Sequence, residues 1–366
     1  MIVITVAALL LATLIPLAVL WFIRSRNMYQ TGSFNMVLGS FAWGILVYGM
    51  VALFNSQVLI GQGILDISTL VKFITPWQEE ILKAALFIYL IRKINFTYFV
   101  DGAIYGFAIG VGFAIVENYE YVLAFQDAAL GVAVSRVIST NLIHGAATAI
   151  TGIAFGFARF YSGFKKALVI LAGLTIGILL HFGFNNLVNE VSSSLLLIYA
   201  AAAGIISTLI IFFVIRKGLA QARTWIHEKL GQADKVTTSE SQLAQQIGSA
   251  NTLLAPLVEM FGKSKANQIE QFLLLQARIG IHRKNLEKFQ DETMRMSTQT
   301  EIQTLQQQMN QIRKEVGPYS MAMLRSIFPE SENQFWAQLG STIENRMQDP
   351  SHTRGGLWDK LDSLNK

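Results

Sequence analysis

Cysteine is absent from the 366-residue chain. With no thiol there is no disulfide scaffold, no thiolate metal site and no cysteine nucleophile. Charge is scarce too. Asp, Glu, Lys and Arg make up 14% of the residues, against roughly 25% in an ordinary soluble domain. Several catalytic signatures are also missing: no His-Glu-x-x-His, no Gly-x-Ser-x-Gly and no paired Gly-x-Gly-Asp aspartates occur. An ordinary zincin and the serine and aspartyl intramembrane proteases are therefore without support.

What is present is hydrophobic: 52% of residues, with a mean hydropathy of +0.42. The charge is unevenly shared. Residues 1–215 hold 10 Lys/Arg and 8 Asp/Glu, and residues 216–366 hold the other 19 and 16. The first part reads as membrane and the second as a water-exposed domain. The net charge of +5 is spread over membrane edges and a mixed-charge tail, which gives no basis for nucleic-acid binding.

A crossing helix needs about 20 mostly apolar residues. Seven stretches qualify, at roughly 2–23, 36–54, 78–93, 98–123, 128–158, 167–189 and 194–215. The third is short and opens on two glutamates. The segment 56–75 is apolar but broken by Gly61, Gly63 and Pro76, and reads as interfacial or re-entrant. The first stretch lacks a basic n-region and a small-residue cleavage site, so it is expected to be a retained span. One set of span ends carries Arg24, Arg26, Arg92, Lys93, Arg159, Lys165, Lys166, Arg216 and Lys217, and the other only Lys72 and Arg136. Basic loops stay inside, so seven spans put the N-terminus outside and the tail in the cytoplasm. Spans four to six are rich in glycine, as close helix packing requires.

Ionisable groups inside a membrane are costly and mark function. Four clusters occur: Glu79-Glu80-x-x-Lys83, Phe113-x-x-x-Glu117, His144 among Ser139, Thr140, Asn141, Thr148 and Thr151, and His181-x-x-x-Asn185. Each alone could be an interfacial or interhelical contact. Their depth argues otherwise. At 1.5 Å per residue from the basic edge, Glu80 lies ~18 Å deep, His144 and His181 ~22 Å, and Glu117 ~28 Å. Four spans thus place acids or imidazoles in one layer of the outer half of the bilayer. Two His and two or three Glu suit metal-assisted hydrolysis. They equally suit a metal-free reaction in which a glutamate activates water and His or Asn stabilises the oxyanion.

These four motifs, in order on successive spans, resemble the PrsW family of bacterial intramembrane proteases, related to the CAAX prenyl protease and bacteriocin-processing superfamily. Asp101-Gly-x-x-Tyr105-Gly and Gly-x-Gly-Phe-Ala-x-x-Glu-Asn at 110–118 add to the likeness, which covers about residues 70–190. The resemblance implies a membrane endopeptidase of the bacterial inner membrane acting on membrane-protein or peptide substrates, such as an anti-sigma factor or a similar signalling protein. It implies that Glu79 or Glu80 activates water. Glu117, His144 and His181 would line the site or ligate a divalent metal, zinc by preference, while Asn185 binds the oxyanion or supports His181 and Lys83 tunes the glutamates. A proton- or ion-coupled transporter and a non-catalytic scaffold with a helical partner domain are the alternatives.

The expected architecture is all-α: a polytopic membrane bundle at 1–215, a linker at 216–250 and a cytoplasmic helical domain at 251–366. In the tail, Ile302, Leu305, Met309, Ile312 and Val316 step 3-4-3-4, a heptad seam. It suggests a regulatory or partner-binding element, or a homo-oligomer through the C-terminal domain. Residues 264–316 read as one long helix or a helical pair, broken by Gly280 and ended by Gly317-Pro318. A further apolar patch runs from Tyr319 to Phe328.

Overall fold

The structure, a computed structural model, describes residues 2–326 apart from 28, 191–193, 231–235, 237, 246 and 248–249. The end of the apolar patch, Ile327 and Phe328, and the rest of the tail to 366 lie outside the described residues, as does much of 231–250. Among the described residues the fold is entirely helical, with no strand.

The membrane part comprises α1 (Ile2–Ser25), α2 (Phe34–Phe54), the short α3 (Ile67–Thr69), α4 (Thr75–Leu90), α5 (Phe99–Ala124), α6 (Ala129–Ile138), α7 (Thr140–Ala158), α8 (Gly163–Glu190) and α9 (Ser194–Lys229). The remainder holds α10 (Thr238–Gln245), α11 (Ala250–Lys288), α12 (Glu292–Val316) and α13 (Pro318–Ser326). Among the described residues six helices are long and apolar enough to cross a membrane: Ile2–Ser25, Phe34–Ile60, Phe99–Ala124, Gln126–Ala158, Gly163–Leu187 and Ile198–Lys229. The seventh expected span, α4, has 16 residues and is only about 24 Å long.

Contacts fix the direction of α4. Ser33 lies against Tyr105, and Tyr48 against Phe113 further along both helices, so α2 and α5 run parallel. The chain between them must return across the bundle, and α4 is the helix that does so. It starts on Pro76, whose missing N–H costs nothing in a first turn. Asp66 caps α3 by accepting from the Thr69 amide at 2.9 Å. Residues 55–60 and 70–74 wind as π-helical turns around this approach.

Helix α5 is the centre of the bundle, with every residue from Phe96 to Ile115 buried. Its glycines let backbones meet. A Cβ on Gly106 would collide with the Thr148 carbonyl, and one on Gly110 with the His144 carbonyl. On the other side Gly112 faces the Phe41 carbonyl of α2. Helices α1, α2, α8 and α9 surround this core and turn apolar side chains such as Leu14, Leu46, Leu171 and Ile210 outward. Large apolar faces of this kind are what hydrocarbon accepts.

The tail packs on the basic end. Helix α9 continues unbroken through 216–229, and α10 buries Leu243 and Ala244 within the stretch read as linker. Asn285 donates to the Thr97 carbonyl at 3.0 Å, Tyr29 donates to that of Gln245 at 3.0 Å, and Phe289 meets the Phe160 ring. Residues 264–316 form a helical pair, but Gly280 does not break it. Gly280 sits inside α11, where its missing side chain lets Ile226 of α9 approach. The turn falls at 289–291, where Asp291 caps α12 through the Met294 amide at 2.9 Å. Gly317, at φ +84°, ends α12 as expected. The seam residues Ile302, Leu305, Met309 and Val316 are all buried in the same cluster as Phe272 and Leu273 of α11.

Candidate active site

Four helices deliver the polar layer. On α4, Glu79, Glu80 and Lys83 share the face turned to the core, because residues three and four apart lie one above the other. His144 comes from α7 and His181 from α8. Donor atoms of Glu79, Glu80, His144 and His181 all lie within 4.8 Å of one another. All four are buried, Glu79 least so at 5% exposure.

Lys83 stands among them, fully buried. Its ammonium donates to Glu80 Oε1 at 2.8 Å and to Glu79 Oε2 at 3.4 Å. It also donates to His144 Nδ1 at 3.0 Å, and it sits 3.8 Å from the centre of the Phe113 ring. Three protons meet three acceptors. An ammonium has no lone pair, so His144 must accept at Nδ1 and carry its hydrogen on Nε2. That Nε2–H donates to Glu117 Oε2 at 2.9 Å. Glu117 in turn meets Arg136 of α6 at 2.7 Å, and Arg136 also donates to Asn118 Oδ1 at 2.8 Å and covers the Tyr121 ring.

The two glutamates differ. Glu80 accepts from Lys83, from Thr148 Oγ1 at 3.0 Å and from His181 Nδ1 at 3.2 Å. Glu79 has the 3.4 Å contact with Lys83, and stands 3.8 Å from His181 Nε2 and 4.0 Å from His144 Nδ1. One carboxylate is held and the other is freer.

Two expected site residues stand outside this set. Glu117 lies behind His144, on the far side of the imidazole, meeting Nε2 while Nδ1 faces Lys83. Asn185 is one turn beyond His181, and its amide donates to the Val71 carbonyl at 3.5 Å, beside Asn186 on Lys72 at 3.1 Å. Sequence reasoning placed Arg136 only among outer loop charges. Its partnership with Glu117 had a signal: among the basic residues of 1–215, only Lys72, Lys83 and Arg136 lie away from the basic end.

Two imidazoles and two carboxylates form a donor set that could hold a metal. Lys83 now takes the lone pairs of Glu80 and of His144 Nδ1 that a metal would use, so an ion would bind there only with the ammonium displaced. Acids, imidazoles and a cation sealed among lipid-facing helices suit bond hydrolysis within a bilayer, the work of intramembrane proteases. Comparison with known families leads to the same class. Residues 32–215 match the family described as PrsW family intramembrane metalloprotease, and the chain belongs to that family.

Among relatives, the "Protease PrsW" of Bacillus subtilis (strain 168) is 26% identical over 183 residues, 48% of this chain and 80% of that protein. The proteins of the same name from Halalkalibacterium halodurans and Shouchella clausii (strain KSM-K16) are 29% and 25% identical, covering 48% and 50% of this chain and 80% and 84% of their own lengths. No solved structure matches the chain. The protein is thus a membrane-embedded endopeptidase, and its substrates are membrane proteins in a lipid bilayer. Helix α1 and the helices beyond residue 229 lie outside the matched region.

Proposed function

We propose that the chain hydrolyses a peptide bond of a membrane-anchored signalling protein, in the manner of regulated cleavage of an anti-sigma factor, within the outer half of the bacterial inner membrane. The carrying observation is the unequal anchoring of Glu79 and Glu80. Glu79, the freer carboxylate, takes a proton from water as the water oxygen attacks the scissile carbonyl carbon. It then returns that proton to the leaving amine as the C–N bond breaks. Glu80 stays ionised, fixed by Lys83, Thr148 and His181. Lys83 supplies the positive charge that faces the developing oxyanion. Asn185 works from the rim, where it holds the 70–74 segment against α8.

Glu80, His144 and His181 would hold a zinc ion in place of the Lys83 ammonium, with Glu117 fixing His144 from behind. When bound, the ion would polarise the carbonyl and acidify the water.

The basic end faces the cytoplasm in this reading, supported by nine Lys/Arg there against Lys72 and Arg136 at the other end. The tail is then cytoplasmic. A homo-oligomer through the tail would use faces other than the seam of α12, which is filled within the chain.

The test is co-expression with a single-span substrate. Wild type cleaves it, and Glu79→Gln and His181→Ala at equal membrane levels do not. Full cleavage by both variants overturns the proposal. Zinc bound at about one ion per purified chain, and lost in His181→Ala, is the expected result for the metal.

A further inference from the structure

A cavity of about 750 Å³ lies at the basic end, between the C-terminal end of α4, the α7–α8 turn and the α11–α12 corner. Its chemistry is layered. Arg92 and Lys166, the apolar Ile88, Ile170 and Phe155, and Thr293 of the tail all line it. The layering follows from chain direction. Helix α4 runs towards the basic end, so Ile88, four residues before Arg92, lies on the bilayer side of it. Helix α8 runs away from that end, so Ile170, four residues after Lys166, does the same. On α8 the isoleucine lies about 6 Å beneath its cation, and on the α4 side Ile88 lies in the last turn of the helix, just before Arg92.

The cations have no acid of their own: among the described residues neither Arg92 nor Lys166 forms an ion pair. Arg159, also in the lining, is turned inward onto the Lys93 carbonyl at 2.7 Å and that of Phe96. Asp291, the acid in the lining, spends one carboxylate oxygen on the α12 amide it caps.

We propose that this cavity binds one anionic phospholipid. Its phosphate lies between Arg92 and Lys166, its acyl chains descend along Ile88 and Ile170, and the α11–α12 corner covers its headgroup. A soluble phosphate compound would have no use for the isoleucines. A zwitterionic lipid would bring a second cation to a site that already has a surplus. Basic pockets at helix ends recognise headgroups in this way. The lipid would bridge the bundle to the tail, so its occupancy affects the docking of α11 and α12. The inference rests on the membrane placement of the basic end and not on the peptidase reading.

The test uses the full chain in detergent micelles, with thermal unfolding and native mass spectrometry as readouts. Phosphatidylglycerol is expected to raise the unfolding temperature and to be retained at one molecule per chain, and phosphatidylcholine to do neither. The Arg92→Gln/Lys166→Gln double variant, at exposed or half-buried positions away from the glutamates, should bind phosphatidylglycerol about twenty-five-fold more weakly, at roughly a factor of five per cation. An Arg216→Gln/Lys217→Gln control should bind as wild type does. Equal binding of both lipids, unchanged binding by the first double variant, an equal loss in the control, or full stabilisation by inorganic phosphate alone would each overturn the proposal. Cleavage activity is not used as a readout, so failure here leaves the peptidase assignment untouched.

Discussion

Replacing each glutamate of α4 by glutamine should separate anchoring from chemistry. Glu80 is the ionised acceptor of three donors within 3.2 Å, from Lys83, Thr148 and His181. Glutamine there removes the charge beside a fully buried ammonium and turns an N–H₂ towards groups that are themselves donors. Breaking a buried ion pair by neutralising one partner costs about 3–5 kcal/mol. Glu79 has one long contact with Lys83, at 3.4 Å, so Glu79→Gln should cost about 1 kcal/mol or less. The order should reverse in catalysis. Loss of a general base lowers the rate about 10²–10⁴-fold, equivalent to roughly 3–5 kcal/mol of barrier.

The assay pairs thermal or denaturant unfolding in micelles with cleavage of a co-reconstituted single-span substrate, expressed per folded molecule. Glu79→Gln should be nearly as stable as wild type and almost inactive. Glu80→Gln should be markedly less stable than Glu79→Gln. Full activity in Glu79→Gln, or equal stability losses in the two variants, would refute the argument from unequal anchoring.

Lys83→Met leaves two buried carboxylates and His144 Nδ1 without their shared donor, and should destabilise the protein by about 3–5 kcal/mol in the absence of added metal, read by thermal unfolding. Arg136→Gln should lower kcat about tenfold by loosening Glu117, and with it the tautomer of His144, while Arg136→Lys recovers part of the loss; steady-state cleavage kinetics checks this. Burial, then the nearby Arg278 and Arg159, pushes His282 of α11 down to about 3. The unfolded chain therefore binds a proton that the native tail refuses between about pH 6.5 and 3. This histidine should remove up to ~1.4 kcal/mol of stability per pH unit on acidification across that window, and His282→Gln should flatten the acid limb of unfolding measured against pH. Gly106→Leu drives a side chain into the Thr148 carbonyl, and should lower the folded membrane yield severely, by more than Gly183→Leu, where a Cβ meets no atom within 4 Å.

The sequence made the site legible for a physical reason. In residues 1–215 an ionisable group away from a helix end needs a partner, so depth put Glu79, Glu80, Glu117, His144 and His181 in one layer, with Lys83 beside the two glutamates of α4. Depth says nothing about azimuth. Which side of His144 would face Glu117, and whether Asn185 would turn inward, depend on helix rotation, and hydropathy does not encode it. Arg136 was hidden by its position on the short helix α6, where a basic residue looks like a solvated loop charge. The spans were readable because hydrocarbon demands long apolar runs. Only α4, shortened and polar, needed the parallel packing of α2 and α5 to establish its crossing. In the tail the seam of α12 was correctly periodic, but periodicity does not name the partner surface, which is α11 of the same chain. Gly280 shows the same limit from the other side: glycine marks both a break and a close approach, and here it is the approach of Ile226.

The shortness of α4 has a further consequence. At about 24 Å it falls short of a hydrocarbon core of about 30 Å. Such a hydrophobic mismatch is relieved by thinning the lipid around the helix. Glu79 and Glu80 lie in its second turn, at the end remote from the basic loops, so the thinned shoulder of the bilayer meets the chain beside them. Hydrolysis in oil is limited by the supply of its commonest reactant. A helix too short for its membrane draws the aqueous boundary down towards the two carboxylates, while the full-length helices around it keep the protein anchored.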